Sequence, residues 1–172
     1  GAKVTLVSGP THLSLKPWQA FCPLQVVDVM SSEEMCQATT AAFPQADIAI
    51  LCAAVADFTP QETANKKIKK QPGQTEMTIE LTTTTDIAAT LGQRKRADQQ
   101  LVGFALETHD EQANALRKLQ SKNLDMIVLN SLQDQGAGFG VDTNKVTLLY
   151  ADGTKKDLPL LLKQEVADEI VD

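Results

Sequence analysis

The sequence predicts an α/β protein: a three-layer, Rossmann-like fold with a doubly wound, mostly parallel sheet, a C-terminal β-hairpin and a flexible flap. Three observations lead there. Short apolar runs alternate with amphipathic stretches at helical spacing, and the connections between them are short. Hydrophobic residues make up 42% of the chain, yet it holds one Trp, one Tyr and five Phe. Val, Ile, Leu and Ala must therefore fill the interior, as in parallel sheets buried on both faces. Lastly, an apolar run from Ile48 empties into small residues and then an acid, Asp57. Open α/β sheets build a ligand crevice at such strand ends.

Taken in order, residues 4–7 read as a strand broken by Ser8-Gly9-Pro10-Thr11, and a polar loop with Pro17 and Trp18 follows. Residues 24–29 form a second strand. Ser31 and Ser32 ahead of Glu33 and Glu34 start a helix, with acids in the first turn where the dipole favours them. That helix runs to about Phe43 and stops before Pro44. Residues 47–51 are expected to be a central, doubly buried strand. Residues 59–75 are polar, with Pro60, Pro72 and Gly73, and read as the flap. Residues 77–81 alternate like an edge strand. Thr82 to Thr85 are expected to cap a helix starting near Asp86 and ending at Arg94-Lys95-Arg96. A buried strand at 101–105, an amphipathic helix at 110–121 and a strand at 125–129 ending on Asn130 come next. Residues 145–150 and 155–158 flank Asp152-Gly153, a strong hairpin signal, and 161–171 close the chain as a helix. No repeat or linker divides the sequence, so residues 1–172 are expected to form a single domain.

The net charge of −6 argues against general nucleic-acid binding, because no long-range positive field would draw in a polyanion. Cys22, Cys36 and Cys52 are odd in number and lack zinc spacing, so neither a disulfide framework nor a structural metal is suggested. No apolar run reaches membrane-spanning length, and no signal peptide is visible. The expectation is a cytoplasmic protein without a membrane partner.

Against that acidic background, Lys66, Lys67, Lys69 and Lys70 form a local positive block, with Lys67 ten residues after Asp57. A lysine run alone is ordinarily a solvated face. Behind a strand-end carboxylate it supplies charge for a polyanion such as a nucleoside triphosphate. Asp57 itself suits either a divalent ion or a ribose hydroxyl. Cys52, at the end of its strand, reads as inert core packing, not as a nucleophile. Lys118 and Lys122 stand four apart and share one helix face, ordinarily a solvated one. Neither His12 nor His109 has the partner pattern of a catalytic base.

AAVADF at residues 53–58 followed by KKIKK at 66–70 resembles phosphopantothenate–cysteine ligase, also called phosphopantothenoylcysteine synthetase. VTLVSGP (4–10), VVDVMSSEEM (26–35), LVGFALET (101–108), KNLDMIVLN (122–130), the Gly-Phe-Gly of 138–140 and DEIVD (168–172) are similar to that family, in family order. The pattern is that of the C-terminal half of the bacterial bifunctional form, whose N-terminal half is a flavin-dependent decarboxylase. FMN is accordingly expected only if such a half lies upstream.

The resemblance implies a reaction in two steps. The phosphopantothenate carboxylate attacks the α-phosphate of CTP, releasing pyrophosphate and forming an acyl-cytidylate. The cysteine amine then displaces CMP. It implies Mg²⁺ as cofactor, Lys67 as the catalytic lysine and a homodimer. Nucleotide contacts would come from Leu51, Cys52, Ala53, Asp57, Lys67, Thr85, Asp86, Ile87, Ala88, Phe104, Lys118 and Lys122. Lys69, Lys70 and Asn130 would serve the flap and the substrates, and Asp57 is the candidate metal ligand. Thr84-Thr85 stands where the family often has Asn-Pro, which favours a backbone role for that turn. The family's Gly-rich first turn and asparagine loop precede the first strand and are not in this sequence, so a fragment is expected. Two other classes share some of these features. An NAD(P)-dependent oxidoreductase shares the fold class, but GxGxxG is absent, and Gly136, Gly138 and Gly140 have the wrong spacing. A non-catalytic regulatory relative is disfavoured by the retained Asp57 and Lys67.

Overall fold

The computed structural model describes residues 1–19, 22–107, 109–131 and 140–172. In chain order the elements are β1 (Val4–Ser8), α1 (Lys16–Gln19), β2 (Leu24–Asp28), α2 (Ser32–Ala42), a 3-10 turn (Phe43–Gln45), β3 (Ile48–Leu51), β4 (Phe58–Pro60) and β5 (Leu81–Thr83). Then come α3 (Ile87–Arg94), β6 (Gln100–Glu107), α4 (Glu111–Ser121), β7 (Met126–Ser131), β8 (Thr143–Asn144), β9 (Val146–Tyr150), β10 (Lys155–Asp157), β11 (Leu161–Leu162) and α5 (Lys163–Val171). They form two compact units, residues 1–39 with 54–86 and residues 40–53 with 87–172.

In the first unit β1 and β2 pair in parallel, from Val4↔Leu24 to Ser8↔Asp28. The loop expected around Pro17 and Trp18 contains the short helix α1. At the start of α2, Ser31 Oγ accepts the Glu34 N–H at 3.1 Å. Glu34 Oε2 in turn accepts the N–H groups of Met30 at 2.6 Å and Ser31 at 3.1 Å. This is a capping box, and it bears out the helix start read from Ser31 to Glu34.

The strand expected at residues 77–81 lies further on. β5 begins at Leu81 and pairs antiparallel with β4, Thr59↔Thr82. The pairing is tied at its ends by the Gln61 N–H to the Glu80 carbonyl and the Thr84 N–H to the Asp57 carbonyl, both at 2.9 Å. Two of the four threonines expected to cap a helix, Thr82 and Thr83, thus lie in a strand, which suits their β-branched side chains, while α3 begins at Ile87, close to the expected start. Residues 61–80 between the two strands contain no helix or strand.

The second unit holds a five-stranded sheet of order β10-β9-β7-β6-β3. β3, β6 and β7 are parallel, while β9 and β10 are antiparallel to their neighbours. Side chains alternate across it. Val102, Met126, Val128, Val146 and Leu148 pack on one face with Val166 of α5. The odd-numbered partners Leu101, Ala105, Ile127, Leu129 and Leu149 are buried on the other, and α4 lies against β6 and β7 with Ala115 and Leu119 buried. Helices therefore cover both faces of a sheet with a parallel centre. That matches the expected layering.

β3 departs from expectation. It is an edge strand of this sheet, and Ile48 and Ile50 are 52% and 43% exposed. Among the described residues only β6 pairs with it, and the doubly buried interior belongs to β6 and β7. Gln99 fixes its approach. This buried side chain donates from Nε2 to the carbonyls of Phe43 and Ala46, both at 2.8 Å, and accepts the Arg96 N–H at 3.0 Å. At the C-terminal end the hairpin forms as read, with Gly153 at φ +87° in the turn between β9 and β10.

Candidate functional site

In the first unit Asp57 directly precedes β4, and its side chain is exposed. Its backbone is held on two sides. The Thr84 N–H reaches the Asp57 carbonyl at 2.9 Å, and Thr84 Oγ1 donates to the neighbouring Ala56 carbonyl at 2.6 Å. The β4–β5 pairing therefore brings the turn at Thr84-Thr85-Asp86 beside Asp57, though the two lie almost thirty residues apart in sequence. Lys66, Lys67, Lys69 and Lys70 all lie exposed in the 61–80 loop, and none forms an ion pair among the described residues. Nor does any group of three or more His, Cys, Asp or Glu gather as a metal cage among those residues.

An open groove in the same unit was not foreseen. It runs over the carboxyl ends of β1 and β2, lined by Ser8, Thr11, Ser14, Leu15, Asp28 and Met30 among others. Ser8 and Asp28 are register partners at the last position of each parallel strand. The Ser8-Gly9-Pro10-Thr11 break read from the sequence marks this strand end, and a parallel strand end was the available signal.

In the second unit Leu51, Phe104 and Asn130 lie toward the carboxyl ends of β3, β6 and β7, whereas the backbone of Lys122 lies at the opposite end, three residues before the Asp125 N–H that donates to the Leu101 carbonyl at 2.9 Å. Leu51 pairs with Gly103, so the chain leaves β3 at Cys52 beside Phe104. Cys52 and Ala53 are exposed, which corrects the reading of Cys52 as core: the strand has ended before them. Phe104 is half-buried against the apolar cluster under α5, so part of its ring is packing. Ile87 and Ala88 open α3, with Ile87 buried. Asn130 Oδ1 on β7 accepts the Asn144 Nδ2–H at 2.7 Å.

Lys118 and Lys122 sit at the end of α4, where the Lys122 N–H donates to the Lys118 carbonyl at 3.0 Å. Lys118 Nζ stands 2.6 Å from Glu107 Oε1, at the carboxyl end of β6. Glu107, Asn114, Arg117, Lys118 and Ser121 line a small open groove there. Of the motif segments, Thr108, Gly136, Gly138 and Phe139 lie outside the described residues, whereas Gly140 is at φ +74°.

A family profile described as the DNA/pantothenate metabolism flavoprotein C-terminal domain matches residues 1–172. The chain belongs to that family. This family domain is 45% identical over 171 residues to the coenzyme A biosynthesis bifunctional protein CoaBC of Bacillus subtilis (strain 168), covering 99% of this chain and 40% of that one. It is 53% identical over 171 residues to a protein of an unknown prokaryotic organism named cysteine/cysteine sulfinic acid decarboxylase, covering 99% and 46%. Among solved structures it is similar to the crystal structure of the C-terminal domain of CoaBC, with a TM-score of 0.77 and 38% identity, covering 99% of this chain and 72% of that one. The domain thus spans less than half the length of these two curated relatives. The family resemblance read from the motifs and the Rossmann-like fold class are both borne out.

Proposed function

We propose that this chain is the synthetase part of a coenzyme A biosynthesis protein, joining phosphopantothenate to cysteine at the expense of CTP. The observation that carries this reading is the 45% identity to CoaBC across 171 residues. The geometry supports it. A carboxylate is a poor electrophile because its oxygen leaves badly, so the acid must first be activated. Attack of the phosphopantothenate carboxylate on the α-phosphate expels pyrophosphate. Attack of the cysteine amine on the resulting mixed anhydride forms the amide and expels CMP. Neither step needs a protein nucleophile. Both need cations at the phosphates and exclusion of water.

Lys67 supplies positive charge as pyrophosphate departs, with Lys69 and Lys70 on the same loop serving the flap. Leu51 to Ala53, Thr85 to Ala88, Phe104, Lys118 and Lys122 contact the nucleotide, and Asn130 serves the substrates. Asp57 is an exposed carboxylate that belongs to no group of three or more His, Cys, Asp or Glu among the described residues. That suits Mg²⁺ arriving on nucleotide phosphates, which needs only one or two protein carboxylates, better than a resident ion in a full cage. FMN enters only if a decarboxylase half lies upstream in the full-length protein.

A homodimer is supported by the apolar edge at β5. Met77, Ile79 and Leu81, at alternating positions, are 56%, 60% and 56% exposed, and Phe58 is 57% exposed. A second copy would bury them. No described helix is long and apolar enough to cross a membrane, in keeping with a cytoplasmic enzyme.

The test is calorimetric titration with CTP and then ATP, each with Mg²⁺, followed by phosphopantothenate-dependent pyrophosphate release. CTP binding with ATP ignored supports the reading. Lys67→Gln should abolish pyrophosphate release while leaving the fold intact, and full activity in that variant refutes the assignment. The name of the 53%-identical relative favours a second reading, decarboxylation of cysteine or its sulfinic acid. CO₂ release from either compound without CTP would select it.

A further inference from the structure

Glu107 occupies a position the proposed chemistry does not explain. It is a carboxylate at the end of a parallel strand, its side chain only 13% exposed, facing Lys118 Nζ at 2.6 Å. Its second oxygen is within 3.5 Å of Asn114 Nδ2, which also donates to the His109 carbonyl at 2.8 Å. Asn114 Oδ1 accepts from Arg117. One half-buried acid therefore anchors a short polar chain along α4.

A lysine has a long, freely rotating stem, and Lys118 is 45% exposed. Without a partner its ammonium would sample much of the surface around the helix. Side chains on a helix lean toward its N-terminus, so Lys118 leans back along α4 toward the carboxyl end of β6, where Glu107 meets it. We propose that Glu107 is a positioning residue that holds the Lys118 ammonium at the carboxyl end of β6 for a nucleotide phosphate. Glu107 has no contact with nucleotide in this scheme and acts only through Lys118. A single carboxylate leaves the ammonium other donors to offer, since it carries three.

The inference rests on the nucleotide reading above, and a double-mutant cycle on CTP affinity keeps the two separable. The 172-residue chain is titrated with Mg²⁺–CTP as wild type, Glu107→Gln, Lys118→Met and the double variant. Loss of the lysine is expected to weaken CTP binding about tenfold, and Glu107→Gln about fivefold, the upper end of what an ion pair with an exposed partner contributes. In the Lys118→Met background, Glu107→Gln should change affinity by less than about twofold. Glu107→Asp, which keeps the charge, should recover part of the loss. An equal penalty in both backgrounds means that Glu107 acts through folding alone and overturns the proposal. Unchanged or tighter binding by Glu107→Gln overturns it as well. Failure of the wild type to bind CTP instead removes the nucleotide reading, and the inference falls with it.

Discussion

At the scale of the residue, two glycines separate what a sequence marks from what packing demands. A Cβ on Gly92 would lie 1.9 Å from the Lys122 carbonyl oxygen and 2.8 Å from its carbon, both backbone atoms. α3 and the end of α4 approach there, and Asn123 Nδ2 donates to the Gly92 carbonyl at 2.8 Å from a residue at φ +51°. Backbone cannot give way as a side-chain tip can. Gly92→Ala should therefore lower stability by about 3 kcal/mol in urea denaturation. Gly103→Ala meets only Leu124 Cδ1, at 2.7 Å, a flexible end, and should cost about 1 kcal/mol. Equal losses would disprove this account of the α3–α4 contact. Nothing in the sequence distinguished these glycines, because the clash at Gly92 is with a residue thirty positions away.

Glu34 was legible in sequence and also makes a pH prediction. Its carboxyl is held below the ordinary glutamate value, chiefly by the Met30 N–H and next by the Ser31 N–H. Because the folded value is the lowered one, the capping contribution is whole above the ordinary range and is lost as pH falls through the lowered value. In an NMR titration the Met30 and Ser31 amide signals should move together, with a midpoint below that of a free glutamate. A midpoint at or above it contradicts the capping box.

At the scale of the element, the β4–β5 pair is where pattern reading and structure parted. Met77, Ile79 and Leu81 alternate as a strand should, yet pairing is confined to Leu81–Thr83, because Phe58–Pro60 offers a partner only there. Strand propensity is realised by a neighbour, and a single sequence does not name the neighbour. The loop between them carries four exposed lysines without ion pairs among the described residues. Trypsin should cut first between residues 66 and 70, and Mg²⁺–CTP should slow that cut severalfold if these lysines meet phosphates. First cleavage at Lys95, whose ammonium pairs with Asp125 at 2.7 Å and is only 10% exposed, would count against the assignment.

At the scale of the whole molecule, the apolar edge at β5 leads to an oligomer prediction. Sedimentation should give a dimer, and Met77→Lys with Ile79→Lys should shift it to monomer while leaving the far-ultraviolet spectrum unchanged. A wild-type monomer at micromolar concentration would remove the second copy from the scheme. The division into two compact units was not legible at all, because residues 40–53 and 54–86 follow one another without a linker signal.

By itself the sequence determined the α/β class, most helices and strands, the C-terminal hairpin and the family, since each depends on local periodicity, turn residues or a contiguous motif. Tertiary structure alone decided that β3 is an edge strand of its sheet, that Cys52 is exposed, that β1 and β2 end in a groove, and that Glu107 faces Lys118. Each of these depends on which distant segment lies alongside, and that choice is made by packing free energy summed over the chain, which no short window of residues contains.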